Sequence, residues 1–230
     1  PYAVLRNGSF ARYLLGRFVA ALGQQMVTVA VGWELYERTG SALCLGLVGL
    51  TQIVPMFLFT LPAGHLADTL NRKHLILWMT GVLICTSLGL ALVSALHVPT
   101  GWTYACLFVA ASARTFVWPA SQAFLPQLVP RAVFSRAVAW SSGSFQLSSV
   151  AGPVAGGALI ALTHAAATVY AANAALALAC LILFSGIRYR QVRLNREPMA
   201  LASLAAGFRF VFENRIILGT ITLDLFAVLL

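Results

Sequence analysis

Few groups in these 230 residues can do acid-base, nucleophilic or ligand chemistry: six Asp and Glu, 15 Lys and Arg, four His and four Cys. Their spacing argues against the common enzymes. His65 and Asp68 stand three apart, but no third ligand and no HExxH segment accompanies them, so the donor set of a zinc centre is missing. Cys44, Cys85, Cys106 and Cys180 are scattered through apolar stretches without a CxxC pair, which reads as packing cysteines. Ser141-Ser142-Gly143-Ser144 has no histidine at similar depth to act as base, and no GxxxxGK[ST] segment is present to cradle a nucleotide phosphate. The sequence therefore reads as a protein with no enzymatic activity, no metal and no cofactor.

Two charges stand out by their surroundings. Arg114 and Asp224 each interrupt an apolar run, and at about 1.5 Å per helical residue they lie roughly 18 Å and 12 Å into those runs. Ionisable groups at mid-membrane depth are costly and mark substrate or ion pathways by default. Arg114 is expected to face a central cavity, and Asp224 to pair with a base or take part in proton coupling; an ion pair between helices is the structural alternative. Gln24 and Thr28 share one helical face, Ser142, Gln146 and Ser149 share another, and Gln52 and Asn173 add amides at mid-depth. Such groups either line a pathway or join helices by hydrogen bonds. Glu34, at the outer end of its run, reads as an interfacial, solvated acid.

The elements that position these residues are membrane helices. The chain is 60% hydrophobic and 9% charged, with mean hydropathy +0.86, whereas a soluble domain carries about 25% charged residues. So few charges cannot clothe a water-soluble surface of this size. A span needs about 20 apolar residues, and six are read, roughly Tyr13 to Leu35, Leu43 to Leu66, Leu75 to Leu96, Trp102 to Phe124, Val138 to Leu162 and Ala166 to Ile187. A seventh apolar run begins near Ile216 and stops at Leu230. The fold class is thus all-α, a polytopic helix bundle: residues 1–187 form a six-helix bundle, 188–215 a cytoplasmic linker with an amphipathic helix on its Leu201, Leu204, Phe208, Val211 and Phe212 face, and 216–230 the start of a seventh helix. The first residue is Pro, and no signal peptide is read.

Thirteen of the 15 bases fall on one side of these spans, and the opposite loops hold only Arg38. By the positive-inside rule the N-terminus is cytoplasmic, and the net charge of +9 needs no nucleic acid to explain it. Three spans in each half enter from opposite sides, as two units related by inversion would, although no residue-level repeat is evident.

The loop between spans 2 and 3, Gly64-His65-Leu66-Ala67-Asp68-Thr69-Leu70-Asn71-Arg72-Lys73, resembles the GxLaDrxGrk motif of the major facilitator superfamily. The resemblance implies a cytoplasmic latch between two halves, carried here by Gly64, Asp68, Arg72 and Lys73. Thr69 replaces a base, and Asn71 replaces a Gly, a substitution that still tolerates a left-handed turn. Span 5 holds Gly152-Pro153-Val154-Ala155-Gly156-Gly157, resembling the GPxxGG core of the superfamily's antiporter motif; Ala139 and Ser148 stand where the full motif has glycines. Gly152, Pro153, Gly156 and Gly157 are expected to give a bendable, closely packed helix. Val29 to Tyr36 with Thr39-Gly40-Ser41, the Pro119-Ala120 and Leu125-Pro126 segment, and Leu223 to Ala227 are similar to the drug and siderophore exporters, the branch that includes the enterobactin exporter. In many relatives the place of Gln24 is taken by Asp.

The resemblance implies the N-terminal half of a twelve-span exporter in the inner (plasma) membrane, working by alternating access and driven by protons. Its partners would be a small-molecule substrate, protons, the lipid bilayer and the C-terminal six-helix bundle that this chain lacks. A solute importer of the same superfamily, or a truncated or accessory membrane protein, are the alternatives.

Overall fold

The computed structural model describes residues 8–187 and Gly219. The linker at 188–215, Asp224 and all of 216–230 but Gly219 lie outside the described residues. Six helices follow in order: α1 Gly8–Thr39, α2 Ala42–Thr69, α3 Arg72–Ala95, α4 Gly101–Leu128, α5 Phe134–Thr163 and α6 Ala166–Ser185. All lie in one compact unit, Pro1–Gln191, and the described residues contain no strand. Five of the six are long and apolar enough to cross a membrane. The exception, α4, has the length, 28 residues, but carries Arg114 amid serines and two prolines. These polar and helix-weakening residues lower its hydropathy.

Local chemistry sets where the helices stop. Asn71 caps α3, its side-chain oxygen accepting from the N–H groups of Lys73 at 3.0 Å and His74 at 3.4 Å. Its φ is −68°, so the left-handed turn that the sequence allowed is not used; an extended N-cap satisfies two helix-end donors that a left-handed residue would leave open. At the other end of the bundle all three turns pass through positive φ, Gly40 at 61° and His97 and His164 at 51°. Each reverses the chain within a few residues of the preceding helix.

The packing order is not the chain order. α1 lies against α5 and α6, α4 against α2 and α3, and α3 against α6. Exchanging α1 with α4, α2 with α5 and α3 with α6 maps this set of neighbours onto itself. The first helix of each three-helix unit therefore packs on the second and third helices of the other unit, and the inversion that the span count only permitted is present in the contacts.

Glycine makes the α1 and α5 contact possible. A Cβ on Gly152 would overlap the Gln25 side chain and stand 3.0 Å from the Leu22 carbonyl oxygen; on Gly156 it would stand 3.0 Å from Met26 Cα. Ser148, one turn earlier, is fully buried and its hydroxyl donates to Phe18 O at 3.2 Å and to its own helix at Ser144 O, 3.0 Å. The position where the antiporter motif has glycine is here a hydrogen bond to α1. Helix α5 is unbroken through Pro153.

Two apolar clusters fill the bundle. One, toward the end where α1 begins, stacks Phe10, Tyr13, Phe124 and Phe184. The other, toward the far end, joins Met26, Val31, Leu35, Leu90, Leu107, Val169 and Tyr170. A polar layer separates them.

Candidate functional site

A cavity of about 250 Å³ opens at this layer, walled by α1, α3, α4 and α6 together with Phe145 of α5. Arg114 lines it halfway along α4. Nη1 donates to Gln24 Oε1 on α1 at 2.7 Å, and Nη2 donates to Gln52 Oε1 on α2 at 3.0 Å. Three of the residues singled out from sequence thus meet on three helices. Asn173, on α6, lines the same cavity and donates from Nδ2 to Ser87 Oγ at 2.7 Å. Its Oδ1 lies so near Gly23 that a Cβ there would overlap it, so the amide is seated in a notch of α1 that only glycine leaves open. The hydroxyls of Thr80 and Ser87 turn back onto their own helix carbonyls.

Thr28 and Gln146 are not brought to this cluster. Both are exposed on the bundle; Thr28 Oγ1 bonds Gln24 O within α1, and Gln146 lies beside a separate cavity of about 350 Å³ with Ser141 and Ser142. Sequence reasoning overlooked Arg17, which had served only as a topology marker. Arg17 lines the Arg114 cavity, donates to Tyr13 Oη and Gln122 Oε1 at 3.1 Å each, and lies 5.6 Å over the Trp118 ring. The available signal was its position two helical turns before Gln24 on the same face.

At the end where α1 begins, the bases act as staples. Arg72 is 7% exposed; Nε donates to Ala67 O at 3.0 Å, Nη1 to Ala123 O of α4 at 3.1 Å, and Nη2 pairs with Asp68 Oδ1 at 3.6 Å. Lys73 Nζ donates to Ser185 O and Ile187 O at 2.7 and 2.8 Å, and Arg12 donates to Gly186 O. The carbonyls that close α2 and α6, negative ends of the helix dipoles, are thereby paired with cations. Gly64 has open space around its Cα within the described residues.

A profile of the transmembrane secretion effector family, part of the major facilitator superfamily, matches residues 1–223. The chain belongs to that family. It is 26% identical over 235 residues to the multidrug efflux pump Tap of Mycolicibacterium fortuitum, covering 96% of this chain and 56% of that protein. It is 27% identical over 206 residues to the uncharacterized MFS-type transporter YfiS of Bacillus subtilis, covering 86% and 48%. Macrolide efflux protein A of Streptococcus pyogenes is 24% identical over 139 residues, 60% of this chain and 34% of that protein. The chain spans about half the length or less of these curated relatives. It is a multi-pass membrane protein of the major facilitator superfamily, and the relatives are named as transporters.

One feature of this family member departs from the sequence reading. Glu34 is 7% exposed, not solvated. Tyr170 Oη donates to Oε2 at 2.8 Å, Arg38 Nη1 lies 3.3 Å from Oε1, and Arg38 Nη2 holds Val98 O at 2.9 Å. Burial follows because α6 brings a tyrosine hydroxyl to the acid and Arg38 folds back one turn, so the carboxylate keeps its partners without water. Tyr170→Phe is expected to lower stability by about 1 kcal/mol, and Glu34→Ala by more, since it strands both the buried hydroxyl and the arginine. Thermal unfolding in detergent measures the ordering; equal effects would mean that the tyrosine bond carries the whole interaction.

Proposed function

We propose that this chain is the N-terminal half of a secondary active exporter that moves small, amphipathic molecules of drug or siderophore type out of the cell by alternating access. The observation that carries the reading is the polar layer: an arginine at mid-bundle, fastened across three helices in a bundle of inverted-repeat topology. Transporter sites of this kind lie near the bilayer midplane between such units. The efflux names of two relatives support the direction.

Arg114, Gln24, Gln52 and Asn173 form the substrate-facing layer. Thr28 and Gln146 join the pathway when the C-terminal six-helix bundle covers them, and Asp224 carries the coupling proton. The basic end faces the cytoplasm, where 13 of 15 bases gather, and the host bilayer is the plasma membrane. Gly64 and Asp68 meet the second bundle as a latch, with Arg72 and Lys73 holding the loop in place. Gly152 and Gly156, flanking Pro153, set the α5 packing about which the bundle rocks, and Gly157 stands outside that contact.

The test is uptake into inverted membrane vesicles carrying the complete protein, where export from the cell reads as accumulation, with a panel of drugs and siderophores. Accumulation driven by a proton gradient and abolished by a protonophore is expected, with Asp224→Asn removing the response to the gradient. Uptake that ignores the gradient, or the reverse direction of flux, overturns the proposal.

A further inference from the structure

The bonding of Arg114 leaves its layer rich in donors and poor in acceptors. A guanidinium has five N–H groups and no lone pair, so any amide that meets it must present oxygen. Gln24 and Gln52 do so. Their NH2 groups consequently point elsewhere, and neither finds an acceptor among the described residues. The cavity wall adds a second guanidinium, Arg17, whose partners are also neutral, and includes no Asp or Glu among the described residues.

Neutral amide dipoles offset only part of the cost of holding a cation away from water. An anion in the cavity would meet the Arg114 guanidinium beside the Gln24 amide, with charge-assisted bonds to the arginine, while Gln52 holds the guanidinium from α2 and is not among the residues that line the cavity. Around this spot the wall is apolar, with Val27, Leu90, Leu107 and Ala110 on three helices. At about 250 Å³ the space is smaller than the roughly 300–1,000 Å³ of drug-sized pockets, which suits a compact ligand.

We propose that Arg114 and Gln24, with Gln52 holding the guanidinium from α2, form a subsite for the carboxylate of a compact amphipathic organic acid, whose apolar body lies along the Val27, Leu90 and Leu107 wall. The proposal deepens the transport reading and rests on it. It separates this bundle from a site for lipophilic cations, which Arg114 and Arg17 would repel.

The probes are naphthalene-2-carboxylate and naphthalene-2-carboxamide, alike in shape and different in charge, titrated calorimetrically into the complete detergent-purified protein at neutral pH. The carboxylate is expected to bind about tenfold more tightly. Arg114→Gln should bring the two within about twofold, Arg114→Lys should keep part of the preference through its charge, and Arg136→Gln, on the exposed surface, should leave it unchanged. Equal binding by the unaltered protein, or a preference that survives Arg114→Gln, overturns the subsite. So does a preference that appears only in Asp224→Asn, because the chain's own acid would then be the anion Arg114 holds. The vesicle assay keeps the two readings apart: efflux with no carboxylate preference sinks the subsite alone, and carboxylate binding without any efflux sinks the transport reading alone.

Discussion

Gly152→Ala and Gly156→Ala should each lower the stability of the bundle, whereas Gly157→Ala, one residue on, should leave it unchanged or raise it. All three substitutions gain the same intrinsic preference, up to about 1 kcal/mol for alanine over glycine inside a helix. They differ in what the new methyl meets. At Gly152 it overlaps the Gln25 side chain and presses on the Leu22 carbonyl, at Gly156 it presses on Met26 Cα and its carbonyl at 3.0 and 3.1 Å, and at Gly157 nothing lies within 4 Å. Backbone cannot swing aside as a side-chain tip can, so α1 and α5 must separate, at an overpacking cost of about 1–3 kcal/mol for each site. In a membrane the loss is compounded, because close van der Waals contact rather than water exclusion holds helices together. Thermal unfolding of the three variants in one detergent checks the contrast. If Gly152→Ala and Gly157→Ala unfold together, the close contact is not what joins these helices.

Arg72→Ala is the second large effect, with an expected loss of about 3 kcal/mol. The side chain is buried and holds two backbone carbonyls, Ala67 O at the end of α2 and Ala123 O on α4. Removing it leaves Ala67 O, at the end of α2, without this donor and takes a second, charged donor from Ala123 O inside α4; a hydrogen bond to a charged group is worth about 1.5–3 kcal/mol. The Asp68 pair adds little to this sum, since the 3.6 Å contact has a carboxylate that is 44% exposed. Arg72→Lys should recover only part of the loss, because one ammonium cannot reproduce the fork that reaches two helices. Arg136→Ala, exposed on α5, is the control and should change stability by less than about 0.5 kcal/mol. An Arg72→Ala protein as stable as the Arg136→Ala protein would reduce Arg72 to a topology signal. The residue that the family motif presents as part of a latch would act within this bundle as a staple between α2 and α4.

Much of the molecule was legible in its residues. The six helices follow from apolar run length, the all-α class from a charge content too small for a water-facing surface, and the depth of Arg114 from its place along its run. The Arg114, Gln24 and Gln52 cluster was half legible: all three residues stood out by polarity and depth, but nothing in their spacing said that they touch. Arg17 was hidden because a base near a helix start is the ordinary topology signal, and Glu34 was misread because a span end usually meets water.

The sequence by itself determined the six helices among the described residues, their apolar character and which polar groups fall midway along them. These are properties of single helices, set by transfer free energy and counted along one dimension. Only the tertiary structure decided that α1 packs on α5 and α6 rather than on α2, that Gly23 leaves the notch for Asn173, and that Arg114 meets two amides among the described residues. Hydropathy cannot hold this information, because lipid is as apolar as the helix surfaces it covers and gives no preference among neighbours. The choice falls to contacts between small residues and to hydrogen bonds between groups up to 174 residues apart, which exist only once the helices have met.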